Sequence, residues 1–152
     1  MKLAEALISR ADLQRRLNAL ETRLNNNARV QEGETPAEDP MALLSELMEL
    51  TLQLEDLVTR INLTNSQTIE GDDTLTGLLA QRDIRGNELR ILNSFLDNAS
   101  SVSQRYSRSE IKVLSTVDVS ELRKQADALS RELRELDIRI QALNWATELL
   151  DK

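Results

Sequence analysis

Apolar residues recur at alternating steps of three and four along four stretches of this chain, the spacing that places them on one face of an α-helix. The first two stretches cover residues 2–31 and 40–67. Their aligned apolar positions are Leu3, Ala6, Leu13, Leu17, Leu20, Leu24, Leu43, Leu47, Leu50, Leu54, Leu57 and Ile61. Arg10 and Asn27 lie on the same face of the first stretch as polar exceptions. We therefore predict two long amphipathic helices.

The segment "QEGETPAEDP" separates these two helices. Gly33 and Pro36 disfavour helical backbone and end the first helix. Asp39 is placed to cap the second helix, because its carboxylate is an acceptor for free N–H groups at a helix start. Pro40 then falls at the first helical position, where a missing N–H costs least.

The third and fourth stretches cover residues 74–102 and 119–151. Their aligned apolar positions are Leu75, Leu78, Leu89, Leu92, Leu96, Ala99, Val119, Leu122, Ala126, Leu129, Leu133, Leu136, Ile140, Leu143 and Leu150. Arg82 and Arg85 lie on the apolar face of the third helix, where an arginine is costly unless it is paired or reaches solvent. Gly86 weakens the middle of that helix by about 1 kcal/mol relative to alanine.

The stretch between these helices, "RYSRSEIKVLSTVDV", has a different pattern. Residues 111–118 alternate with period two, because Ile111, Val113, Ser115 and Val117 alternate with Lys112, Leu114, Thr116 and Asp118. This alternation predicts a half-buried extended segment over about residues 105–117. A single strand leaves its backbone groups unpaired, so we expect it to lie along the helices or to pair with the same stretch of a second subunit. Asp118 is placed to cap the fourth helix, with Glu121 completing a capping-box arrangement.

Together these elements predict an all-α fold with four long, mostly antiparallel helices, bundle- or coiled-coil-like, in a single domain over residues 1–152. Apolar residues beside the main stripes widen the apolar faces further than a two-helix seam requires. They are Leu7, Ile8, Leu44, Met48, Leu52, Val58, Leu79 and Ile84. Two interpretations remain open for them, a core within one chain and an interface between copies of the chain.

Composition excludes several kinds of chemistry. The 152 residues include no cysteine and no histidine, so disulfides, thiol nucleophiles, thiolate zinc sites and imidazole acid–base catalysis are all excluded. The net charge of −7 argues against general nucleic-acid binding. The N-terminal stretch does not have the pattern of a signal peptide, and no apolar run approaches the roughly 18 residues of a membrane span. We therefore expect a cytoplasmic protein without a membrane or nucleic-acid partner.

The charge is unevenly distributed. Residues 1–29 carry six basic and three acidic groups, whereas the chain between Arg29 and Arg60 carries eight acidic groups and no basic one. A basic first helix beside an acidic second helix favours an antiparallel hairpin, although an exposed ion pair contributes only about 0–1 kcal/mol.

Four fragments, "NARVQEGETPAEDP", "RYSRSEIK", "STVDV" and "NWATEL", together resemble the small bacterial proteins labelled septicolysin. The fragments span nearly the whole chain. The resemblance implies a largely uncharacterised helical family, and its label implies a secreted lytic toxin. The sequence departs from that label because it has no secretion signal, no membrane-inserting amphipathic hairpin and no long apolar run.

Two polar clusters are candidates for chemistry. The first loop places Glu32, Glu34, Glu38 and Asp39 within eight residues, and carboxylates are ligands that Mg²⁺ and Ca²⁺ prefer. The alternative interpretation is a solvated acidic turn. Paired glutamates of the ExxE type also occur at 46–49 and 132–135, but they lack the ExxD partner of helical nucleotide pyrophosphatases.

The second cluster, "RYSRSE", combines arginine forks with hydroxyl groups, a combination that suits a phosphate or another small anion. If both clusters lie close to Arg82 of the third helix, they would form one ligand-binding site. The candidate ligand or partner residues are Glu32, Glu34, Arg82, Arg105, Tyr106, Arg108, Ser109 and Glu110. No catalytic residue is assigned. No cofactor is predicted, and Mg²⁺ is kept as a candidate ion.

The function that we predict is that of a non-enzymatic, cytoplasmic homo-oligomer with an interaction or scaffolding role. The alternative is a small-anion- or nucleotide-binding protein, extending to a metal-dependent hydrolase, that uses the acidic loop at 31–39 and nearby arginines. A lytic toxin rests only on the septicolysin resemblance.

Overall fold

The structure is a computed structural model that describes residues 1–101 and 111–151. Its helices are α1 (Leu3–Asn26), α2 (Pro40–Gln67), α3 (Leu75–Ser100) and α4 (Val119–Ala146). Strands β1 (Ile69–Glu70) and β2 (Asp73–Thr74), of two residues each, form a short antiparallel hairpin between α2 and α3. Gly71 adopts a φ of 63° in the turn between the strands, a conformation that favours glycine. The predicted all-α class is confirmed.

The first helix ends earlier than predicted, at Asn26 rather than near residue 31. Asn27 has left helical geometry, and its backbone N–H and side-chain amide both donate hydrogen bonds to the carbonyl of Arg23. These bonds satisfy a free carbonyl of the last turn and redirect the chain into the loop.

The fourth helix also ends earlier than predicted, at Ala146 rather than near residue 151. The chain beyond it pairs with the N-terminal residues instead of continuing as a helix. The N–H of Leu3 donates to the carbonyl of Thr147 at 2.9 Å, and the N–H of Leu149 donates to the carbonyl of Met1 at 2.8 Å. Backbone pairing with a distant segment thus replaces the last helical turn.

The approach to α4 departs from the predicted half-buried segment in the part that is described. Ile111, Val113 and Leu114 are 92%, 65% and 76% exposed. Residues 111–117 form no strand. Residues 105–110 lie outside the described residues. Asp118 does cap α4 as predicted, accepting from the N–H of Glu121 at 3.0 Å.

The chain divides into two compact units. Unit 1 comprises Met1–Leu75 and Ala142–Lys152. Within it α1 and α2 pack against each other, and the contact of Arg23 near the end of α1 with Glu46 near the start of α2 makes the pair antiparallel. Its buried apolar residues are Leu3, Ala4, Ala6, Leu13, Leu20, Leu43, Leu50, Leu57, Ile61, Leu75 and Leu149. All of them except Ala4 and Leu149 lie on the predicted stripes.

Unit 2 comprises Thr76–Gln141, with most of α3 and α4. These helices are antiparallel, since Arg82 meets Asp137 whereas Ser100, at the other end of α3, meets Arg123. The buried apolar residues of this unit are Leu78, Leu96, Ala126, Leu136 and Ile140. The single domain over residues 1–152 stays a prediction.

Candidate functional site

The acidic loop between α1 and α2 is tied into the fold by two of its four carboxylates. Asp39 accepts from the N–H of Met41 at 3.0 Å and caps α2, as predicted. Glu38 pairs with Arg23, whereas Glu32 and Glu34 are exposed. Within the described parts of the chain, no group of three metal-ligating side chains is placed to hold a metal ion.

Arg23, near the end of α1, connects the loop to both helices through its side chain. The sequence pattern did not indicate this role of Arg23. Its guanidinium donates to both carboxylate oxygens of Glu38, at 2.6 Å from Nη2 to Oε1 and 3.1 Å from Nε to Oε2. Its Nη1 also donates to Glu46 of α2 at 3.3 Å. The hydrogen bond with Arg23 lowers the pKa of Glu38 below its ordinary value, and the hydrogen bond with Glu38 raises the pKa of Arg23.

Asn27 forms the second tie between α1 and the loop. The side chain is 8% exposed. Its Nδ2 donates to the carbonyl of Arg23 at 2.9 Å, and its Oδ1 accepts from the N–H of Glu38 at 2.9 Å. The polar exception noted on the α1 stripe is therefore a structural side chain with both of its polar ends satisfied. The contacts of Arg23 and Asn27 with Glu38 hold the loop against the end of α1. The described part of the loop therefore has a structural role.

Arg82 and Arg85 of unit 2 are paired with carboxylates of the neighbouring helix. Nη1 of Arg82 lies 3.8 Å from Asp137, and its Nη2 lies 3.0 Å from Asp83. Nη1 of Arg85 lies 3.5 Å from Glu132. These pairs compensate for the position of both arginines on the apolar face of α3.

The residues of the predicted site belong to both units and to the stretch outside the described residues. Glu32 and Glu34 belong to unit 1 and Arg82 to unit 2. The remaining candidates, Arg105, Tyr106, Arg108, Ser109 and Glu110, lie outside the described residues. Their convergence on one cleft stays a prediction.

The outer face of α2 is apolar and exposed over its first three turns. Met41, Leu44, Met48 and Leu52 are 71%, 42%, 67% and 65% exposed. At 3.6 residues per turn they lie within about 80° of one another around the helix. The buried residues of α2 point the opposite way, toward α1. Helix α2 therefore has two apolar faces, and α1 covers one of them.

A groove of about 520 Å³ lies between α3 and α4 within unit 2. It is lined by Arg82, Gly86, Ser130, Leu133, Arg134, Asp137 and Ile138. A Cβ added at Gly86 would meet no atom within 4 Å, so the missing side chain leaves open space. None of the helices formed by the described residues is long and apolar enough to cross a membrane.

Comparison with known proteins identifies a similar solved structure and a family. It is similar over 99% of both chains to a protein described as a functionally unknown conserved protein from Corynebacterium diphtheriae, with 47% identity and a TM-score of 0.93 in the crystal structure. No functionally curated protein matches the chain. The septicolysin label is not supported, because the family that matches residues 10–149 is a family of unknown function. The chain belongs to that family, DUF6847.

Proposed function

We propose that this chain is a homo-oligomeric interaction protein without catalytic activity, and that copies associate through the outer face of α2. The observation that carries the proposal is the exposed apolar stripe of Met41, Leu44, Met48 and Leu52, opposite the buried face of the same helix. A surface helix normally has one apolar face, which it buries. A second, exposed apolar face is the kind of surface at which proteins bind one another.

The area of the stripe sets the expected strength of association. The four exposed fractions correspond to about 500 Å² of surface, near the upper end of the largest patch on a typical monomer. Contact with a surface of similar size buries about 1,000 Å² in total, close to the lower limit for a specific interface. We therefore expect reversible association rather than a permanent complex.

The geometry favours this function over the small-anion-binding alternative. Arg82, the described arginine of the predicted anion site, already lies near Asp83 and Asp137. Glu38, one of the carboxylates considered for Mg²⁺, is already bound by Arg23. The cytoplasmic location and the coiled-coil character predicted from the sequence belong to the same proposal.

The test compares two glutamate substitutions at adjacent positions of α2. Leu52 lies in the stripe, whereas Gln53 is exposed and lies beside it. The wild type and Gln53→Glu are expected to self-associate in sedimentation velocity at tens of micromolar, and Leu52→Glu is expected to be monomeric because it places a charge in the apolar contact. A monomeric wild type, or a Leu52→Glu variant that associates as Gln53→Glu does, would refute the proposal.

A further inference from the structure

The groove between α3 and α4 has the chemistry of a receptor for an apolar helix with an acidic residue. Gly86 opens one wall, and Leu133 and Ile138 provide apolar side chains. The nine residues of α4 from Ser130 to Ile138 span about 12 Å. A groove of these dimensions accommodates side chains from two or three turns of a helix, as in helix-in-groove recognition.

The residues that line the groove include two arginines, Arg82 and Arg134, and one carboxylate, Asp137. Arg82 is already paired, since it lies 3.0 Å from Asp83 and 3.8 Å from Asp137. Arg134 donates a hydrogen bond to the hydroxyl of Ser130 at 3.0 Å, and it makes no ion pair with any residue that the structure describes. Its guanidinium is therefore an available partner for a carboxylate at the rim.

The outer face of α2 has the complementary properties. Glu55 follows the apolar stripe on the same side of the helix, one turn beyond Thr51 and Leu52. Its carboxylate is exposed and makes no ion pair with the described part of the chain. Pairing of this face with the same face of another copy would bring acidic helices together, because no lysine or arginine occurs between residues 30 and 59.

We infer that the groove between α3 and α4 receives the outer face of α2 from a second copy of the chain, with Glu55 of one copy facing Arg134 of the other. This inference rests on the proposed function, because it names the surface to which α2 binds. Each chain carries both surfaces. A reciprocal exchange of α2 faces therefore closes a two-fold dimer, and a single contact per pair leads to a ring or a filament.

Two substitutions at Gly86 test the shape of the groove. Gly86→Leu fills the open space and is expected to weaken the dissociation constant of self-association by at least about tenfold. Gly86→Ala adds one methyl group and is expected to change it by less than about threefold. Circular dichroism of both variants checks that α3 remains helical, as expected when glycine is replaced inside a helix.

Charge reversal tests the partner. Arg134→Glu and Glu55→Arg are each expected to weaken association by about tenfold, and the double variant is expected to recover affinity to within about threefold of the wild type. Lys124→Glu is the control, since Lys124 is an exposed residue of α4 outside the groove lining. Sedimentation equilibrium measures all five proteins.

The outcomes separate the inference from the proposed function. If the wild type associates and Leu52→Glu abolishes association, but Gly86→Leu and Arg134→Glu have no more effect than their controls, α2 binds elsewhere and the inference is overturned. If the single reversals weaken association and the double variant does not recover, the Glu55–Arg134 pairing is overturned. If the wild type is monomeric, the proposed function fails and the inference fails with it.

Discussion

Replacement of Asn27 by alanine is expected to destabilise the connection between α1 and α2 without altering the charge of the molecule. The side chain is 8% exposed and makes two hydrogen bonds of 2.9 Å, one to the carbonyl of Arg23 and one from the N–H of Glu38. The net contribution of each bond is about 1 kcal/mol. The N–H of Glu38 also loses its acceptor, so the expected loss of unfolding free energy is about 2 kcal/mol.

Urea unfolding followed by circular dichroism measures this loss, and Asn26→Ala is the matched control. Asn26 is the last residue of α1, is exposed, and makes no side-chain hydrogen bond within the described ranges. Its replacement is expected to change the unfolding free energy by less than about 0.5 kcal/mol. A difference between the two variants below about 0.5 kcal/mol would refute the structural role assigned to Asn27.

Three further predictions concern stability. Thr64 is 1% exposed, donates to the carbonyl of Arg60 at 2.8 Å and accepts from the N–H of Leu150 at 3.0 Å. Thr64→Val is therefore expected to cost about 1–3 kcal/mol of unfolding free energy, whereas exposed Thr59→Val is expected to be near neutral, and equal costs would contradict the role of the buried hydroxyl. Because the pKa of Glu38 is lowered from 4.5, its ion pair stabilises the fold above that pH and is lost as the pH falls through the lowered pKa. The unfolding free energy of Glu38→Gln is expected to fall less steeply on acidification than that of the wild type, and equally steep acid profiles would argue against the pair. Gly86→Ala is expected to raise the unfolding free energy by about 0.5–1 kcal/mol, since the added Cβ meets open space, and a loss of stability in urea unfolding would show that the site is constrained.

The helices and their cores were predictable from the sequence because helix period and capping are local signals. Leu43, Leu50 and Ile61 are buried where the apolar stripe places them. Asp39 and Asp118 cap α2 and α4, as predicted. Such caps can be recognised in the sequence because the acceptor side chain lies within four residues of the start of the periodic apolar pattern.

The contacts between distant residues were not predictable in the same way. The pairing of Arg23 with Glu38 and Glu46 depends on the register between α1 and α2 and on the path of the loop, neither of which the charges alone determine. The end of α4 at Ala146, earlier than predicted, likewise depends on backbone pairing of Leu149 with Met1, between opposite ends of the chain. Tertiary pairing overrode the helical pattern at that position.

The exposed residues before α4 show the limit of a period-two pattern. Alternation indicates a half-buried strand only where a partner edge or a packed surface exists. Ile111 and Leu114 are exposed in the described structure, so the pattern predicted a burial that this chain does not provide by itself. Helix α2 likewise has apolar residues that remain exposed. The sequence indicated a wide apolar surface on this helix, and the structure shows which part of it is buried and which part is exposed.

Sedimentation equilibrium of the wild-type chain over a wide concentration range tests self-association most directly. We expect a reversible increase in mass from monomer to dimer or a larger closed assembly as the concentration rises to tens of micromolar. A single species of monomer mass at every concentration would contradict it.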